Sequence, residues 1–140
     1  MYSQDYYSKL REKYWAYEEN DPKALVFVNQ YIKKAKSEKN YPELFQAYKD
    51  AILYSENQKM IYADSALAVA QNSKDNDLIG NGYLTKGSVY YFNQRKFQFA
   101  LEEYLKAYEY LNDSKDEYLK YRNIYHIGVV KSYLGYYEEA

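Results

Sequence analysis

His126 is the only histidine in a chain of 140 residues that has no cysteine. Disulfides, thiolate ligands and cysteine nucleophiles are therefore excluded together, and one imidazole does not make a transition-metal site. His126 stands beside Ile127 and Gly128 in a helical pattern, where packing or solvation accounts for it. Ser88 and Ser132 have no nearby base to activate them. Glu102-Glu103 and Glu138-Glu139 are neighbours on helical stretches, so each pair points apart and reads as solvated face. The stretch GNGYLTKG, Gly80 to Gly87, resembles a phosphate loop in composition only. It lies inside a helical pattern with no strand before it, and close helix contact explains its glycines better. Neither an enzyme nor a cofactor is expected.

The elements that would carry any site follow from composition. Lys plus Arg number 19 against 20 Asp plus Glu, a net charge of -1, which gives no long-range attraction for nucleic acid or an acidic membrane surface. The longest apolar runs, Ala24 to Val28 and Ala66 to Ala70, fall far short of the roughly 20 residues of a spanning helix. The start, MYSQDYYSKL, lacks the basic and apolar regions of a signal peptide. Tyrosines number 22 against five phenylalanines. A tyrosine ring can fill a helix interface while its hydroxyl stays in water, which suits thin layers never far from solvent.

Five glycines and two prolines leave long unbroken stretches, and apolar residues recur at helical spacing. Ala100, Tyr104, Ala107 and Leu111 form one stripe. The same spacing recurs at Lys59, Ala63, Ala66 and Ala70, and again at Ala24, Val28, Tyr31 and Ala35. Polar breaks follow each stripe: SEKN from Ser37, SKDN from Ser73 and SKDE from Ser114. A second helical pattern follows each break, at Tyr41 to Tyr54, Asp77 to about Asn93 and Glu117 to Leu134, and Tyr6 to Tyr17 precedes the first stripe. Asn20-Asp21-Pro22 supplies a cap and a first-turn proline. The reading is helix, turn, helix, repeated at 35 to 41 residues, as the steps from Ala24 to Lys59 to Ala100 measure it. That period predicts an all-α right-handed solenoid whose pairs are stabilised by stacking.

These residues resemble the tetratricopeptide repeat. Ile127-Gly128, Leu134-Gly135, Tyr137 and Ala140 carry the pattern in the last unit, and Gly87, Tyr90, Phe97, Ala100, Tyr104 and Ala107 in the third. Gly87 to Ala100 is one residue longer than Gly128 to Ala140, which places an extra residue in the turn Asn93 to Lys96. In the second unit Ala47 takes the glycine position and Lys59 an alanine position; in the first, Glu12 stands where a small residue belongs. The resemblance implies one domain over 1–140, with about seven helices in three pairs (4–38, 40–74, 76–113) and a fourth pair, 116–140, cut at its second helix. The repeat positions are Ala24, Ala63, Ala66, Gly87, Ala100, Ala107, Gly128, Gly135 and Ala140. The cut pair implies that more chain continues in a longer parent protein.

In that family the first helix of each pair lines a concave groove. Carried over unit by unit, its groove positions are Lys9 and Lys13; Leu44 and Tyr48; Leu84, Ser88 and Tyr91; and Arg122, Tyr125 and Val129. Rigid tyrosines with cations at the ends suit an extended or helical peptide. The family's carboxylate clamp is absent, since leucines occupy its place in the second and third units. The segments AYEENDPKAL, YADSALAVAQ and ALEEYLKAYEYL also resemble the N-terminal repeat region of bacterial transcription regulators with a helix-turn-helix domain at the other end. This implies a non-catalytic sensor that binds a peptide, a protein or the regulator's own domains, either in the cytoplasm or on the periplasmic side of the inner membrane. DNA contact would fall to a domain outside this chain. The rival reading is a structural adaptor or self-associating scaffold, a homodimer included.

Overall fold

Helix boundaries in this chain are set by short polar side chains. Asn40 accepts a hydrogen bond from the backbone N–H of Glu43, Asp75 from those of Asp77 and Leu78, and Asp116 from that of Leu119. Each satisfies a first-turn donor that the helix cannot pair internally. Ser73 and Ser114 brace the two aspartates by accepting from their N–H groups. Lys39 and Lys74 close the preceding helices in the left-handed region, at φ 53° and 59°, a position that ordinarily favours glycine.

The computed structural model describes residues 2–135. Among them are seven α-helices and no strand: α1 (Tyr2–Glu12), α2 (Ala24–Ser37), α3 (Tyr41–Tyr54), α4 (Lys59–Ser73), α5 (Asn76–Ser88), α6 (Phe97–Leu111) and α7 (Glu117–Tyr133). The protein is all-α. A π-helical segment, Val89–Gln94, continues α5. No described helix is long and apolar enough to cross a membrane. The chain divides into two compact units, Met1–Val69 and Ala70–Ala140, with the division inside α4.

In the first unit α2 packs on α1 and α3. Ala24, Val28, Tyr31 and Ala35 of α2 are buried, as are Ala47 of α3 and Ala63 and Ala66 of α4. Helix α1 ends at Glu12 rather than running to Tyr17. Lys13 and Tyr14 instead bond back three residues, to Leu10 and Arg11, a tighter winding that turns Tyr14 into the unit's interior. There the Asp50 carboxylate accepts from the Arg11 guanidinium at 2.9 and 3.3 Å, from Gln46 at 2.9 Å and from the Tyr14 hydroxyl. A buried carboxylate is tolerated when its lone pairs are filled in this way. Tyr7 and Tyr31 likewise donate to Glu38 and Glu43. Lys59 turns its ammonium onto the carbonyls of Ile52 (2.7 Å) and Leu53 (3.3 Å). It caps the C-terminus of α3, a role that needs a long cationic side chain at the start of α4. Helix α2 starts at Ala24 with Lys23 at its N-cap and no side-chain cap. Asp21 accepts from Lys23 N–H at 3.0 Å in the turn before it, so the expected cap and first-turn proline, Asn20-Asp21-Pro22, precede the helix.

In the second unit α6 lies between α5 and α7. Its buried stripe, Ala100, Tyr104, Ala107 and Leu111, meets Leu84, Leu119 and Val130. Helix α5 approaches α6 closely because it offers glycine. A Cβ at Gly80 would stand 2.5 Å from Leu111, and one at Gly87 would stand 2.7 Å from the Tyr104 ring. Asn123 of α7 is fully buried and donates from Nδ2 to the Tyr104 carbonyl at 3.1 Å. Ala140, with Tyr137, Glu138 and Glu139, lies outside the described residues.

Candidate functional site

The second unit carries one face where the expected groove residues meet. It begins with the π segment. The Lys96 N–H bonds to the Tyr90 carbonyl, and Arg95 takes the left-handed conformation at φ 54°. Where the spacing placed an extra residue in the turn Asn93 to Lys96, the structure has widened helical turns that begin earlier, at Val89, and run into that turn through Gln94. One added residue changes the rotational phase of the helix beyond it, and π segments of this kind recur at functional sites.

The consequence is a continuous run of rings. Tyr125 and His126 of α7 are in edge contact at 5.6 Å, His126 meets Phe92 at 6.1 Å, and Phe92 meets Tyr91 at 4.6 Å. Tyr91 then contacts Tyr133 at 5.9 Å, and Tyr133 stacks on Phe97 at 5.0 Å. The run is not core, since Phe92, Tyr125 and Tyr133 are 59, 67 and 58% exposed. A cation edges it: the Arg95 guanidinium lies 5.0 Å over Phe97, a contact attractive to the ring face, while the Lys96 ammonium lies 5.9 Å over Phe99, which stacks on Tyr90 outside the run. Beside Tyr125 is a depression of about 370 Å³ lined by Ile124, Tyr125, Gly128, Val129 and Ser132. Its floor is open because a Cβ at Gly128 would meet nothing within 4 Å.

Titration follows burial. His126 lies flat against Tyr104 at 5.4 Å. Burial, and secondarily the Arg122 charge, holds its imidazole below the usual histidine range. Burial raises the Tyr104 phenol, while its bond to Ser88 and the Arg122 charge oppose the rise. Tyr91 is raised by burial first and by its bond to Tyr133 second. The Ser88 hydroxyl is engaged with the Tyr104 hydroxyl at 3.1 Å, and Ser132 donates to the Gly128 carbonyl at 3.2 Å. Among the described residues no group of three His, Cys, Asp or Glu could hold a metal ion.

The ten expected groove residues separate into three sets. Tyr91, Arg122, Tyr125 and Val129 lie on or beside the ring strip, and Ser88 sits beneath it against Tyr104. Leu44 and Leu84 are corrected: they are 6 and 0% exposed and pack inside their units, because a leucine gains more from burial than from facing water. In the first unit Lys9 is exposed, Lys13 reaches Gln30 at 3.3 Å and Tyr48 packs on Tyr62 at 6.4 Å. Phe92, Phe97, His126 and Tyr133 join the strip without having been expected there. The odd spacing after Gly87 was the available signal, since an insertion within a helix changes which side chains face its neighbour. No protein-family model, curated protein or solved structure matches the chain.

Proposed function

We propose that this chain is a non-catalytic, tetratricopeptide-repeat-like module that binds a peptide or protein, and that its helix pairs stack as a right-handed solenoid. We assign it as the sensing part of a bacterial transcription regulator. The observation that carries the binding reading is the exposed ring strip from Tyr125 to Phe97, joined across α7 and the π segment and edged by Arg95. Rings already packed against one another lose little freedom when a ligand covers them, so their contact area converts efficiently to affinity. A ligand seated on both α7 and the π segment would favour one relative tilt of the two, and the parent would read that tilt. Peptides selected on the full chain from a displayed random library should bind it. They should lose about tenfold in affinity, or about 1.4 kcal/mol, in Phe92→Ser and in Tyr125→Ser while the helical circular dichroism is kept. Selection that enriches no peptide, or peptides indifferent to both substitutions, would sink the reading.

Self-association is the second reading, and it is favoured by the exposed Tyr118 and Tyr121 near the start of α7. It expects a concentration-dependent dimer in light scattering that is lost in Tyr118→Ser/Tyr121→Ser and kept in Phe92→Ser.

A further inference from the structure

The strip has a charge environment unlike the rest of the chain. Residues 78–101 contain α5 from its third residue, the π segment and the start of α6; residues 118–137 contain almost all of α7. Together these two stretches hold six Lys and Arg and no Asp or Glu. The remaining 96 residues hold 13 Lys and Arg against 20 Asp and Glu. A net charge of -1 therefore conceals two basic stretches in an otherwise acidic chain. Among the described residues Arg95, Lys96 and Arg122 stand in no ion pair. Arg95 lies over Phe97 at one end of the strip, and the Arg122 charge reaches His126 within it and Tyr104 beneath it.

We infer that this strip takes an acidic, apolar-anchored peptide segment of another protein, holding its side-chain carboxylates with Arg95 and Arg122 and its apolar side chains on the rings. The inference rests on the peptide-binding function proposed for the strip and names the class of its ligand. Apolar anchors fit because exposed rings and the open space beside Gly128 adjoin one another. Carboxylates fit because guanidinium groups pair with them bidentately, and the two stretches that carry the strip contain no Asp or Glu of their own. A nucleic acid fits less well on two grounds. Phe97 and Tyr133 already stack on each other at 5.0 Å and 16°, and Tyr91 is filled edge-on by Phe92, so the inner faces a base would need are occupied. A polyanion would also meet the acidic surplus of the remaining chain, whereas a short segment sees mainly charges within about 8–10 Å.

The test uses the full chain and random peptides displayed between flanking domains, so that no free C-terminus is offered. Asp and Glu should be enriched alongside aromatic and aliphatic residues relative to the unselected library. The selected peptides should bind about tenfold more weakly to Arg95→Asn/Arg122→Gln, and asparagine at 95 keeps the left-handed turn. The exposed-cation control Lys23→Gln/Lys36→Gln should bind as the parent does. Enriched peptides that are neutral or basic would overturn the acidic partner and leave the peptide-binding reading standing; failure to enrich any peptide would overturn both. Binding of an oligothymidylate that the arginine substitutions abolish, in preference to the selected peptides, would replace the proposal with a single-stranded nucleic acid. A dimer that the same substitutions dissolve would replace it with a second copy.

Discussion

At the scale of single residues, two helical glycines do opposite things. Gly87 is pressed against the Tyr104 ring and lies 3.3 Å, by an added Cβ, from the Ala100 carbonyl, whereas Gly128 faces open space. Both are in helical segments, where alanine gains about 1 kcal/mol over glycine by propensity. At Gly87 that gain is outweighed, because neither a buried ring nor a backbone carbonyl can retreat cheaply, and overpacking costs about 1–3 kcal/mol. Gly87→Ala should be less stable in urea denaturation by about 1–2 kcal/mol, and Gly128→Ala more stable by about 0.5–1 kcal/mol. Equal effects would show that the α5–α6 approach is looser than these distances state. The same scale explains Lys59, whose long stem lets one residue open α4 and cap α3; a small residue there would lose the cap.

At the scale of elements, the π segment decides what the second unit presents. It ends α5 one residue out of α-helical phase, which brings Tyr91 to Tyr133 and Phe92 to His126. Deleting Asn93, an exposed residue of that segment, should restore α-helical bonding, leave circular dichroism and urea stability the same or higher, and separate Phe92 from His126. The lone histidine makes this measurable, since His126 ring protons should lose part of their ring-current shift and peptide affinity should fall about tenfold. Unchanged shifts and affinity would show that the segment merely tolerates an insertion. α1 depends on a different device. It is held by the hydrogen-bonded Asp50 carboxylate and by Tyr7 and Arg11, polar contacts set within an otherwise apolar interface.

Across the whole molecule, tyrosine hydroxyls tie the interior of both units to solvent pH. Tyr7, Tyr14 and Tyr31 are raised by burial first, with the carboxylates of Glu38, Asp50 and Glu43 adding to it, and Tyr104 is raised by burial against the opposing influence of Ser88 and Arg122. The sign comes from proton counting. The unfolded chain releases these protons near pH 10, whereas the folded one keeps them to higher pH, so the stability they contribute is intact below about pH 10 and falls as pH rises above it. Urea midpoints should be flat up to about pH 9 and drop steeply beyond about pH 10, less steeply in Tyr14→Phe. Tyrosinate absorbance after a pH jump should show a fast phase from exposed rings and a slow phase that tracks unfolding. A single fast phase for all tyrosines would contradict the buried phenols.

Much of the secondary structure was legible in the residues themselves. Asn40, Asp75 and Asp116 mark helix starts because short acceptors satisfy first-turn donors locally, and the stripes around Val28, Ala63 and Tyr104 reflect a period of 3.6 that any packed helix imposes. Tertiary structure alone decided which faces meet and which stay open. Leu44 and Leu84 share the expected groove position of Tyr125 by repeat spacing, yet they are enclosed, because burial depends on neighbours from distant sequence. The ring strip was hidden for the same reason and one more: a single inserted residue shifts helical phase at the π segment, and spacing reveals an insertion without revealing where the backbone widens to hold it.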